Sequence, residues 1–273
     1  MTKSIAHPTD FSKAGASALA HALRLAIASR SRLLLLHVTS SENGHEWSSF
    51  PPVRALLAKW GMLDDNASPQ DIAARLGVEV NKVEIRHGDP AFGLFEFFLS
   101  HRPDLVVLST HGREGLNRWL SGSVSEEVAR QTHIPTLFFG PKARGFVNAA
   151  TGQMQIERIL VPIAHSPSPV LTLSVLNNLC SSIGSSQTSI QLLHVGNEPP
   201  ALAEMVLAPP VELVKGPVVS TILDIARERQ MQLIAMPTAG HQGFLDMLRG
   251  STTERVLRQA QCPVLAIGAY ERS

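Results

Sequence analysis

Two glycine–serine steps with the same lead-in constrain this chain more than any other feature. Gly112 is followed by nine residues and then Gly122-Ser123; Gly240 is followed by nine residues and then Gly250-Ser251. Each pair follows a short apolar run, Leu105-Val106-Val107-Leu108 in one case and Leu233-Ile234-Ala235-Met236 in the other. Each precedes a helix-like segment and then an X-Pro step (Ile134-Pro135, Cys262-Pro263) into another apolar run. A repeat this long means two copies of one domain. Gly88 and Gly216, Gly112 and Gly240, Gly122 and Gly250, and Pro135 and Pro263 all stand 128 residues apart. Upstream the offset grows, to 154 for Pro8 and Pro162 and to 157 for Leu36-His37-Val38 and Leu193-His194-Val195. The first copy therefore holds 29 more residues between Val38 and Gly88 than the second holds between Val195 and Gly216. The expected domains are 1–141 and 155–273, and the polar, glycine-containing stretch 140–154 reads as the connector.

With 273 residues, each copy is long enough to bury a core of its own. Hydrophobic residues make up 44% and charged residues 17%, a globular rather than a disordered composition. A net charge of +1, with basic residues scattered, excludes an electrostatic footprint for nucleic acid or an anionic membrane. No run of eighteen apolar residues occurs, so no membrane span is expected. The N-terminus enters a strand pattern at once without a leader pattern, and the expected location is cytoplasmic. Cys180 and Cys262 show no Cys-x-x-Cys spacing and read as buried, reduced thiols.

Short apolar runs alternate with segments of helical period along both copies. Strands are expected over 4–7, 33–38, 80–87, 105–109 and 135–139, then over 156–162, 190–195, 211–214, 233–236 and 264–267. The first helix is expected to open at Phe11-Ser12-Lys13, with Asp10 or Ser12 as its cap. Four consecutive leucines, Leu33 to Leu36, suit a strand buried on both faces. The fold class is α/β: two tandem Rossmann-like domains, each an open five-stranded parallel sheet of order 3-2-1-4-5 with helices on both faces. In such a sheet a ligand sits at the carboxyl ends of the strands where the order reverses, here between strands one and four. Pro8-Thr9-Asp10 and Ser109-Thr110-His111-Gly112 follow those strands and converge on one crevice. The extra segment 39–69 of the first copy carries Trp47, Phe50 and Trp60 around a short helix expected at 53–61; it reads as a lid over the crevice or as a partner surface.

Pro8-Thr9-Asp10-Phe11-Ser12, Leu36-His37-Val38, Gly88, and Ser109-Thr110-His111-Gly112 with nine residues to Gly122-Ser123-Val124 resemble the universal stress protein family. The resemblance covers nearly all of the first half and, more thinly, the second, so the chain resembles a tandem member. It implies a non-catalytic stress-response sensor or regulator that binds ATP or another adenine nucleotide, with magnesium or manganese as a candidate companion. By resemblance Asp10 holds the adenosine part, Val38 lines the adenine pocket through its backbone, and Gly112, Gly122, Ser123 and Val124 bind the phosphates. Pro8, Thr9 and Ser109 complete the walls; Ser109 stands where nucleotide-binding members usually carry a glycine. Single-domain members pair as dimers, which implies that the two halves pair within this chain, strand-five edge against strand-five edge, with further homodimerisation open.

The residue chemistry agrees with these roles. Gly112 and Gly122 let backbone approach phosphate oxygens, and the free N–H groups that open the next helix favour an anion. Ser123 adds a hydroxyl donor, and Asp10 can accept hydrogen bonds from sugar hydroxyls. There is no Walker lysine; Arg113 and Arg118 are the nearest cations, each either screening phosphate or simply solvated. His7, His37 and His111 fall at the ends of neighbouring strands, so a three-imidazole metal site is conceivable, but divergent side-chain directions weigh against it and no metal site is assigned. No Gly-x-Ser-x-Gly elbow or His-Glu-x-x-His motif occurs, and Glu126-Glu127 suits a helix start better than acid–base chemistry. No catalytic residue is assigned. In the second half Ala164 replaces Asp10, Pro237 stands at the first glycine position and Ala239 replaces His111, so nucleotide is expected mainly in the first half. The alternative is a protein-interaction scaffold with a vestigial nucleotide site.

Overall fold

The computed structural model describes residues 4–11, 15–39, 50, 52–110, 134–184, 187–200, 209–238 and 252–268. In the first half β1 (Ser4–Pro8), α1 (Ala16–Ser29), β2 (Arg32–Thr39), α2 (Val53–Lys59), α3 (Pro69–Leu76), β3 (Val80–Arg86), α4 (Pro90–His101), β4 (Leu105–Ser109) and β5 (Thr136–Phe139) follow in order. The second half continues with β6 (Arg158–Ile163), α5 (Val170–Ser182), β7 (Ser189–Val195), β8 (Val211–Val214), α6 (Val218–Glu228), β9 (Leu233–Thr238), α7 (Thr252–Gln259) and β10 (Val264–Gly268).

The strands form one ten-stranded sheet of order β3-β2-β1-β4-β5-β10-β9-β6-β7-β8. Each half contributes a parallel 3-2-1-4-5 array, and the arrays meet where β5 and β10 pair antiparallel, Leu137 opposite Leu265. The expected strand-five pairing is thus formed by the chain itself, and both strands are removed from the sheet edge.

Period-two alternation sends successive strand residues to two cores. Ile5, Leu33, Leu35, Leu105, Val107, Leu137, Ile159 and Leu265 join one core, with α1 and α5; Ala6, Leu34, Leu36, Val106, Leu108, Phe138, Leu160 and Val264 join the other, with α6 and α7. Both faces of the central strands are covered, which is why they read as continuous apolar runs.

The first helix begins later than the sequence pattern suggests. Its N-cap is Gly15, without a side-chain cap bond, so neither Asp10 nor Ser12 fills that role. Phe11 lies outside the helix with φ of 59°, a left-handed turn that the helical period could not reveal. α1 is covered on nearly every side: Ala18, Leu19, Ala20, His21, Ala22, Leu23, Leu25 and Ala26 are all buried. The segment expected to be a lid or partner surface, with the helix that follows it, adds to the core that α1 packs into. Leu57, Trp60, Leu63, Ala67 and Ile72 belong to the same core as α1. Trp60 Nε1 donates to Ala149 O at 3.2 Å, and Arg24 Nε donates to Gly152 O at 2.8 Å. Gly152, at φ of 69°, presses so close to the Trp60 ring that a Cβ would lie 2.6 Å from it. Trp60 is therefore a clamp on the connector, not a lid or docking residue; Trp47 lies outside the described residues.

Candidate functional site

The strand order reverses at β1, which has β2 on one side and β4 on the other. Pro8 is in register with Leu36, and Ala6 with Val106. Carried forward, these registers put Asp10 level with Val38 and Ser109 level with Thr9. Pro8, Thr9, Asp10, Val38 and Ser109 thus meet at the carboxyl ends of three neighbouring strands, Pro8 buried and the others half-buried. Gly112, Arg113, Gly122, Ser123 and Val124 lie outside the described residues, as do His111, Arg118, Glu126-Glu127, Ala239, Gly240, Gly250 and Ser251.

The turn after β1 is tied down at each polar atom of Thr9. Its N–H donates to Leu36 O at 2.8 Å, its carbonyl accepts from His37 Nδ1 at 2.9 Å, and its hydroxyl oxygen accepts from Phe11 N at 3.2 Å. The Phe11 ring lies 4.1 Å from the His37 ring and 5.3 Å from that of Phe50, centroid to centroid. An aromatic wall therefore flanks Asp10 and Val38, and Phe50 brings the inserted segment to it. On the other side of the reversal, Thr110 N and Oγ1 both donate to Phe139 O, at 2.9 and 3.1 Å.

The histidines serve this scaffold. His7 Nδ1 donates to Val107 O at 2.9 Å, and burial pushes its pKa down to about 4, against the opposing pull of that bond and of the Asp10 charge. His7 is a neutral imidazole at physiological pH, not a cation for an anionic ligand. Its Nε2 has no partner among the described residues. Of the conceivable metal trio, His7 and His37 each commit Nδ1 to a backbone carbonyl and His111 lies outside the described residues. No group of three His, Cys, Asp or Glu side chains among the described residues could hold a metal ion.

The second half repeats the scaffold but not the chemistry. His194 Nδ1 donates to Ile163 O at 2.9 Å as His37 does to Thr9 O, and Thr238 Oγ1 donates to Ile267 O at 3.1 Å as Thr110 does to Phe139 O. A cavity of about 300 Å³ opens there, lined in part by Ala164, His194, Val195, Met236, Thr238 and Thr252. Its described lining contains no carboxylate, lysine or arginine. Where the first crevice has Asp10, the second has Ala164.

A model of the universal stress protein family matches residues 1–139 and 201–268, well over half of the chain. The chain belongs to the universal stress protein family. A universal stress protein of Methanocaldococcus jannaschii, MJ0531, is 30% identical to it over 138 residues, 50% of this chain and 80% of that protein. The crystal structure of a universal stress protein from Archaeoglobus fulgidus superposes with a TM-score of 0.64 at 19% identity, covering 99% of this chain and 97% of its own. A second structure of such a protein, from Pseudomonas aeruginosa, gives 0.63 at 15% identity, covering 98% and 94%. At these identities the structures share the fold with this universal stress protein, and overlap along the whole length supports its tandem arrangement.

Sequence reasoning did not assign the carbonyl latches that shape both crevices. The signal was present in the repeated Leu-His-Val, whose histidine makes the same bond in each half of this universal stress protein, but a hydrogen bond to a neighbouring strand has no mark in sequence spacing.

Proposed function

We propose that this universal stress protein binds one adenine nucleotide, ATP or a close relative, in the crevice of its first half, and acts as a non-catalytic sensor or regulator of the stress response. The observation that carries this reading is the meeting of Asp10, Val38 and Ser109 at the point where the strand order reverses. A carboxylate there can accept from ribose hydroxyls, the backbone at the end of β2 offers donors and acceptors to a purine edge, and the small Ser109 at the end of β4 leaves room beside them. A magnesium or manganese ion would accompany the phosphates. No helix among the described residues is long and apolar enough to cross a membrane, and a cytoplasmic site of action goes with this reading.

The test is calorimetric titration of ATP with magnesium into the intact chain and into Asp10→Ala. One site per chain, weakened at least about tenfold in the variant as expected for losing a charge-assisted bond, supports the proposal. Two equal sites overturn the assignment to the first half. A second reading, an interaction scaffold with a vestigial site, is favoured by Ala164 and the uncharged lining of the second cavity; absence of any ATP site in the intact chain selects it.

A further inference from the structure

A second candidate site lies away from both crevices. α6 and α7 run side by side on one face of the sheet, and the connector that leaves β5 passes across their ends. Together they enclose a groove of about 770 Å³, within the range of small-molecule clefts, roughly 300–1,000 Å³. Its inner end is formed by Met231-Gln232 and Gln261-Cys262, at the amino ends of β9 and β10. That is the amino end of the second half's strands; because β5 and β10 run antiparallel, it lies beside the carboxyl end of β5, several strands along the sheet from Asp10.

The groove is built from the connector and the second half. Lys142 and Arg144 come from the connector, Arg227 from α6 and Arg255 from α7. The connector is held at its rim by the Arg144 N–H, which donates to Gln261 O at 2.7 Å. Arg227 is paired with Asp224 at 2.7 Å, and Asp224 is the one carboxylate in the lining. Lys142, Arg144 and Arg255 have no ion-pair partner among the described residues. In a chain whose net charge is only +1, three unpaired cations drawn from two separate segments onto one concave surface form a local field for anions. Gln230, Gln259 and Gln261 add amide donors, and Val219, Leu223 and Met231 give the groove an apolar floor. Cys262 adds no negative charge, because burial pushes its thiol up to about 12.

We propose that the groove between α6, α7 and the connector is a second ligand site, for a small molecule carrying two or more phosphate groups. The excess of cations matches a pyrophosphate or triphosphate, arginine forks suit phosphate oxygens, and the volume suits a small ligand with an apolar or planar body resting on Val219 and Leu223.

The test uses adenosine-free probes on the full chain, so its result does not depend on whether ATP binds the first crevice. Pyrophosphate and triphosphate are titrated by calorimetry at low ionic strength into the native protein and into the double variant Arg144→Gln, Arg255→Gln. Both positions are exposed, and equal melting temperatures establish that the variant is folded. The expected result is binding that weakens at least about tenfold in the variant and falls steadily with added salt, with amide exchange slowed by triphosphate over 217–232 and 260–262. Unchanged affinity in the variant, exchange protection confined to the ends of β1, β2 and β4, or no binding at millimolar probe overturns the proposal. Tighter binding of a glutamate-rich peptide than of triphosphate also overturns it, in favour of an acidic protein segment.

Discussion

Asp10 and Ala164 occupy matching places in two scaffolds that share the histidine and threonine latches, so a main difference between the crevices is one of side-chain chemistry. Replacing Asp10 by Ala gives the first crevice the character of the second, and ATP affinity is the quantity that reports it. His7 and His21 are linked to pH rather than to ligand. His21 Nδ1 donates to Ser17 O at 2.7 Å and Nε2 accepts from Val147 N at 2.9 Å, an arrangement open only to the neutral ring. Burial lowers both histidines from 6.5 to about 4. In the unfolded chain they take up protons as pH falls below 6.5; in the folded protein they do not until about 4. Their contribution is therefore intact above 6.5 and is lost as pH falls through that window, by up to about 3 kcal/mol each at the acid end. Urea unfolding at pH 7, 5.5 and 4.5 checks this: the free energy of the native protein should fall across the series, and that of His21→Gln should fall less steeply. Parallel profiles would show that His21 does not titrate in the window.

Among the elements, the connector after β5 is the one whose course was least visible beforehand. A polar stretch with glycines reads as a loose linker, yet Phe146 and Val147 are buried and three side chains, His21, Arg24 and Trp60, hold its backbone. Trp60→Ala removes a buried indole and the donor to Ala149 O, and is expected to cost about 3–5 kcal/mol in urea unfolding. Gly152→Ala puts a methyl group into the Trp60 ring at a left-handed φ and should cost at least about 1 kcal/mol; a neutral result would mean that the connector can lift off the indole. α3 is governed locally: Ser68 caps Asp71 N at 3.1 Å while Asp71 accepts from Ser68 N at 2.7 Å. Ser68→Ala should lower stability by about 1 kcal/mol, read as a shift in urea midpoint at constant slope. Its first turn, Pro69-Gln70-Asp71, is polar and carries no apolar period. The cap, not the apolar period, marks its start.

For the whole molecule the deciding contact is β5 against β10. Leu137 sits between two neighbours, Val107 on β4 and Leu265 on β10. Leu137→Pro removes a backbone donor from a central strand and a buried side chain, so it should split the unfolding of this protein: one calorimetric transition in the native chain, two or a much lower one in the variant. A single unshifted transition would show that the halves do not depend on this seam. The repeat offsets, the paired glycine steps and the alternation of apolar runs with helical segments made the strand order and both crevices legible, because those features follow from backbone period and chain connectivity. The clustering of Pro8, Thr9, Asp10, Val38 and Ser109 was legible for the same reason, since strand order alone brings their loops together. The left-handed turn at Phe11, the histidine latches, the burial of Trp60 against the connector and the four cations gathered around the α6–α7 groove were not. Each depends on which distant segments come into contact, and sequence spacing carries no information about neighbours that only packing brings together.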